Sequence, residues 1–195
     1  MIGKVFKKDG INLCYGESGL GKTVSSIKAV NSDNIVPILL DFDGNTSPEN
    51  NNCNYTHIDG VKFIASYMAK DAVIPKDQVI IIDTWAMFSA YLETNPMLLE
   101  DLHEGNTIII IGHNIDIASK QDIPDVPSVL VNHWDAKLFM SFDKGSSAKT
   151  SARPPSYNLT VMKLRGYKGP RTIINWMRKS ISEEIAEMNK LLDKG

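Results

Sequence analysis

Apolar residues in this chain come in short, dense runs, and stretches of helical periodicity separate them. The runs Asn12–Tyr15, Val36–Leu40, Val79–Ile82 and Thr107–Ile111 predict strands covered on both faces, the pattern of a mostly parallel sheet. Pro37 has no N–H, so it belongs at the start of its strand. Tyr55–Ile58 predicts a weaker strand. Between the runs, Thr23–Asn31, Gly60–Lys70, Trp85–Thr94 and Pro96–Glu104 predict helices. That alternation is the signature of βαβ units. The expected fold class is α/β, with helices flanking a central sheet.

The pattern changes after Asn114. Residues Asn114–Val126 are polar and read as a loop. Ser128–Trp134 predicts a short helix, and Ala136–Phe142 a further strand. Tyr157–Leu164 and Thr172–Trp176 predict an antiparallel pair, a C-terminal extension of the sheet. Ser180-Ile181-Ser182-Glu183 has the form of a capping box. It opens an amphipathic helix over 179–195 whose stripe is Ile181, Ile185, Met188, Leu191 and Leu192. The 195 residues are read as one domain, 1–195.

Charge is unevenly spread. Residues 1–136 carry nine Lys/Arg and eighteen Asp/Glu, whereas 137–179 carry ten Lys/Arg and a single acid, Asp143. Such separation predicts a surface that faces a polyanion. The bland alternatives are a solvated basic face, or arginines that serve a nucleotide. The segment Asp143–Ser156 is small, polar and basic, and its Lys144, Lys149 and Arg153 are the candidate nucleic-acid contacts. No apolar run reaches membrane-spanning length and no secretory pattern opens the chain, so no membrane partner is expected. Cys14 and Cys53 form neither a disulfide framework nor a metal-ligand spacing. These features favour a reducing, cytoplasmic setting.

The strongest chemical signal is Gly16-Glu17-Ser18-Gly19-Leu20-Gly21-Lys22-Thr23, which fits the phosphate-binding pattern G-x-x-x-x-G-K-[ST] at every fixed position. It lies between a predicted strand and a predicted helix. Glycines allow the backbone to curl so that successive N–H groups face one concavity, and the helix adds its positive end. Residues Gly16 to Val24 are the expected nucleotide cradle. Lys22 would reach the β- and γ-phosphates and Thr23 would hold Mg²⁺.

Three further strand ends carry candidate chemistry. Val79–Ile82 runs into Asp83, an acid placed to bind Mg²⁺, usually through water. Leu39-Leu40 runs into Asp41-Phe42-Asp43-Gly44. Ligands of open α/β sheets sit beyond the carboxyl ends of the strands, so one of these acids is a candidate to polarise the attacking water. Thr107–Ile111 runs into Gly112-His113-Asn114, where His113 or Asn114 is a candidate γ-phosphate sensor. His57, His103 and His133 lack ligand-like spacing and are read as structural.

This order of elements resembles the RecA-like P-loop ATPase core, and more narrowly the small phage ATPases of RecA type, some of which act in single-strand annealing. The phrases carrying the resemblance are YGESGLGKT, LLDFDGN, VIIIDT, IIIIGHN and NHWDAKLFM, over roughly residues 10–175. It implies ATP and Mg²⁺ as cofactors, hydrolysis stimulated by DNA, and single-stranded DNA as a partner, with a single-strand-binding protein as a further candidate. It implies Asp43 as the catalytic base, where the family commonly has Glu. It also implies head-to-tail homo-oligomers, in which an arginine of one subunit meets the γ-phosphate of the next. No Arg precedes residue 153, so Arg165 and Arg171, flanking a Gly-Pro turn, are the candidates. Other readings are a nucleoside or nucleotide kinase, an ATP-gated assembly factor such as a helicase loader or packaging subunit, and a GTPase using Asp41-Phe42-Asp43-Gly44 as D-x-x-G.

Overall fold

The computed structural model describes residues 1–44, 53–115, 123–142, 157–164 and 172–173. The 179–195 segment and residues 143–156 and 165–171 lie outside the described residues. Eight strands form one sheet in the order β3-β2-β4-β5-β1-β6-β7-β8. The strands are β1 (Ile11–Gly16), β2 (Ile38–Asp41), β3 (Thr56–Asp59), β4 (Val79–Asp83), β5 (Thr107–His113), β6 (Ala136–Phe142), β7 (Tyr157–Leu164) and β8 (Thr172–Ile173). From β3 through β6 all neighbours are parallel, and β7 and β8 continue the sheet antiparallel. The helices are α1 (Lys22–Asn31), α2 (Gly60–Met68), α3 (Trp85–Leu92), α4 (Leu98–His103) and α5 (Ser128–His133). Among the described residues no helix is long and apolar enough to cross a membrane.

The isoleucine runs show why the central strands are apolar throughout rather than alternating. Ile81, Ile109 and Ile111 point into one core with Cys14, Leu39 and Ile27 of α1. Ile80, Ile82, Ile108 and Ile110 point into the other core, with Leu13, Ile64 of α2, Phe88 of α3 and Leu102 of α4. Each strand therefore buries both sets of side chains, as a sheet covered by helices on both faces requires. The first core is closed by an element that the sequence pattern does not announce. Ile2, Val5 and Phe6 fold back against α1, with Ile2 and Phe6 paired in a short bridge.

Boundaries shift by a residue or two, for local reasons. Strand β2 begins at Ile38, just after Pro37, whose missing N–H keeps it out of the ladder. Helix α2 starts at Gly60 because the Asp59 side chain accepts the Lys62 N–H at 3.1 Å, an N-cap bond. Helix α4 begins at Leu98 and not at Pro96.

Buried polar groups join the layers. Asn12, fully buried on β1, accepts the Lys7 N–H at 2.7 Å through Oδ1. Its Nδ2 donates to the carbonyls of Lys7, Gly10 and Ile108 at 3.1, 3.2 and 3.0 Å. One side chain thus ties the N-terminal segment to β1 and β5. Asn12→Ala should lower stability by about 1–3 kcal/mol, the usual cost of orphaned buried groups. Urea unfolding should show a lower midpoint with an unchanged slope, and a wild-type midpoint would refute this role.

Candidate nucleotide site

Parallel register brings four strand ends to one rim of the sheet. Asp41 pairs with Asp83, Asp83 with Ile111, and Gly16 with His113. Strand β5 lies between β1 and β4, so His113 stands between the glycine-rich turn and Asp83.

The turn from β1 into α1 has the shape its sequence requires. Gly19 and Gly21 take φ of 77° and 69°, a left-handed region that favours glycine. Gly16 is needed for a different reason: a Cβ there would collide with the Met140 carbonyl oxygen of β6. Leu20 is fully buried and anchors the turn in the core. Gly21 caps α1 with no side-chain bond, which leaves the first-turn N–H groups of the helix facing outward.

These elements surround a cavity of ≈ 350 Å³. Ser18, Gly19, Gly21, Lys22, Thr23 and Val24 form one wall, and Asp43, Asp83, Thr84, Ile111 and His113 form the other. Gly16, Glu17 and Leu20 do not line the cavity; Gly16 and Leu20 are buried and Glu17 is exposed. Lys22 Nζ donates to the carbonyls of Glu17 at 2.8 Å and Gly16 at 3.3 Å. Thr23 Oγ1 donates to Asp83 Oδ2 at 2.7 Å. That pair presents two hard oxygen donors on the cavity wall, which fits Mg²⁺, an ion that takes one or two protein oxygens and completes its shell with water and phosphate.

The two acids at the end of β2 part company. Asp43 lines the cavity and is exposed, whereas Asp41 is buried and has both oxygens engaged by its own loop and by His57. The tip of β5 divides similarly. His113 lines the cavity, while Asn114 Oδ1 accepts the Ile123 N–H at 3.1 Å.

Asp125 is a site residue that sequence reasoning misses. Its Oδ1 accepts the His113 N–H at 2.9 Å, and its own N–H donates to the His113 carbonyl at 2.9 Å. It sits so close over Gly112 that a Cβ there would meet Oδ1 at 2.8 Å. Burial raises the Asp125 carboxyl above the usual carboxylate range, partly opposed by the His113 N–H, by His113 itself and by the Lys22 charge. Nothing in a lone acid between prolines marks it. Only the chain's return past the tip of β5 does. The candidate contacts Lys144, Lys149 and Arg153, and the candidate arginines Arg165 and Arg171, lie outside the described residues.

Burial also governs the two groups beneath the turn. It pushes the Cys14 thiol up to about 11, which makes that side chain an inert core residue at neutral pH. It lowers Lys22 below the ordinary lysine value, with Cys14, Asp83 and Asp125 opposing the shift. Burial disfavours the charged form of the amine, so Lys22 should lose its proton at lower pH than an exposed lysine. An NMR titration of the Lys22 amine in the nucleotide-free protein should give a midpoint below about 10.4. A midpoint at or above that value would mean that the amine is not desolvated.

No family model matches this chain and no curated protein matches it, so the roles of these side chains rest on the chemistry of the cavity.

Proposed function

We propose that this chain is a Mg²⁺-dependent ATPase of RecA-like type that acts on single-stranded DNA in recombination or replication of the phage kind. The observation that carries the reading is the convergence of Lys22, Thr23, Asp83, Asp43 and His113 on one cavity. Four separate strand ends supply them.

Each residue has a distinct task. The N–H groups of the turn and of the first turn of α1 hold phosphate oxygens, and Lys22 exchanges its two carbonyl partners for them. Thr23 and Asp83 would hold a Mg²⁺ ion, which would supply charge neutralisation for the phosphates. Asp43 orients a water for in-line attack on the γ-phosphorus and takes its proton. The β–γ bridging bond breaks, giving ADP and phosphate. His113 donates to a γ-oxygen, and its backbone is held by Asp125 on the returning chain.

Several observations support ATPase chemistry over the rivals. A D-x-x-G reading needs Asp41 at the nucleotide, but that carboxylate is occupied elsewhere. The interposed β5 gives the γ-phosphate a polar neighbour at His113, the arrangement expected of a sensor strand. The basic stretch that begins at Lys137 on β6 supports a polyanionic partner.

Lys22→Ala should weaken ATP binding or abolish hydrolysis while leaving the fold intact. Asp83→Asn should impair Mg²⁺-dependent turnover more than nucleotide binding. Asp43→Asn should bind ATP yet hydrolyse it on the order of 10²-fold more slowly. Phosphate release, titrated with single-stranded against double-stranded DNA, measures turnover in all three, and binding of a fluorescent ATP analogue measures affinity. Normal turnover by the Lys22 variant would refute the reading.

Neutralising Lys144, Lys149 and Arg153 together should weaken single-strand binding. The slope of log affinity against log salt should flatten by about 0.7 for each phosphate that the variant no longer neutralises. An unchanged slope would exclude this segment from the interface.

A further inference from the structure

We infer that His57 and Asp41 form a positioning pair that sets the loop carrying Asp43, so that an imidazole on the edge strand β3 fixes the geometry of water attack. The inference rests on the reading of Asp43 given above and extends it to two residues outside the cavity.

The loop after β2 is held at three levels. Phe42 is anchored first. Its N–H donates to the Asp83 carbonyl at 2.6 Å, and its ring packs against Phe88 and Tyr91 at centroid distances of 5.6 and 5.8 Å. Gly60 lies under that ring so closely that a Cβ would meet it at 2.6 Å. Beyond Phe42 the chain leaves the ladder. The N–H groups of Asp43 and Gly44 then turn back onto Asp41 Oδ1, at 3.1 and 2.8 Å. Asp41 is therefore the local template for the turn that presents Asp43.

That template has one remaining oxygen. Asp41 Oδ2 meets His57 Nε2 at 3.1 Å. An ionised carboxylate only accepts, so Nε2 carries the proton. The Asp41 side chain is 2% exposed and the His57 side chain 41%. Without the imidazole, a buried carboxylate oxygen loses its donor, and the carboxylate is free to rotate away from the two amides. Asp43 would then lose its fixed direction although nothing in the cavity wall had changed. The imidazole itself fills little core volume, so its removal acts on the loop more than on the fold.

The test uses the full chain with His57→Ala, His57→Gln and Asp43→Asn, and the double variant His57→Ala/Asp43→Asn. Glutamine retains an N–H donor of similar reach. Amide hydrogen exchange, followed by NMR, reads the Asp43 and Gly44 N–H groups without reference to activity. His57→Ala should speed exchange at these two amides about tenfold, leave β4 amides unchanged, and be reversed by His57→Gln. Single-turnover ATP hydrolysis should fall about 10- to 100-fold in His57→Ala, with binding of a fluorescent ATP analogue changed less than about twofold. The double variant should be no slower than Asp43→Asn, because the pair acts through that side chain.

Unchanged exchange in His57→Ala would overturn the inference, as would a full additive loss in the double variant. Slow hydrolysis by Asp43→Asn beside unaltered His57→Ala would refute the pair and keep Asp43 as the base. Faster exchange with wild-type hydrolysis in Asp43→Asn would retain the clamp and refute the role of Asp43.

Discussion

The parallel register of the central strands is the constraint on which everything else depends. Asp83 faces the cavity because Ile80 and Ile82 are committed to one core and Ile81 to the other. A slip of one residue would exchange the two faces, turning every isoleucine toward the wrong layer and moving the acid off its position. Both layers are apolar, so the slip is resisted by the close packing of each core and by the cost of carrying a strand-end carboxylate such as Asp83 into an apolar layer. The apolar interior thus aims the polar site.

A second constraint acts across the strands. With β5 inserted between β1 and β4, the glycine-rich turn and Asp83 are not direct neighbours in the sheet. The Thr23–Asp83 bond, 60 residues apart in sequence, spans that gap through the start of α1. The fold leaves His113 in the interval, and Asp125 returns to clamp its backbone on both sides. The backbone of His113 and the position of residues 123–125 are therefore fixed together.

Much of this is legible in the chain because it depends on local rules. The glycine-rich turn, the strand runs and the helices between them follow from spacing, and the strand-end acids follow from where apolar runs stop. What is not legible depends on register and on chain return. Asp41 and Asp43 stand two apart in an extended segment, and sequence alone leaves open which faces the nucleotide. The answer lies with Phe42, which is drawn into the core by α3, and with His57, which is brought alongside by the pairing of β2 with β3. His57 has no ligand-like spacing, and no spacing rule could link it to residue 41. Asp125 is invisible for the same reason. The closure of the first core by Ile2, Val5 and Phe6 likewise depends on a turn too short to carry periodicity.

Electrostatics at the rim give the last step. Among the described residues Lys22 is the one amine lining the cavity, and Asp43 and Asp83 line the same cavity. Desolvation already weakens its hold on a proton. The two carbonyls it contacts take up two of its three donors without neutralising its charge. A triphosphate entering alone would supply counter-charge to Lys22 but would bring its own oxygens against Asp83. Thr23 and Asp83 would hold a cation there, and its charge would reverse the sign of that second contact. On the proposed function, the desolvated amine and the acid near it would therefore couple nucleotide affinity to the cation, because neither charge would be fully matched until both were bound.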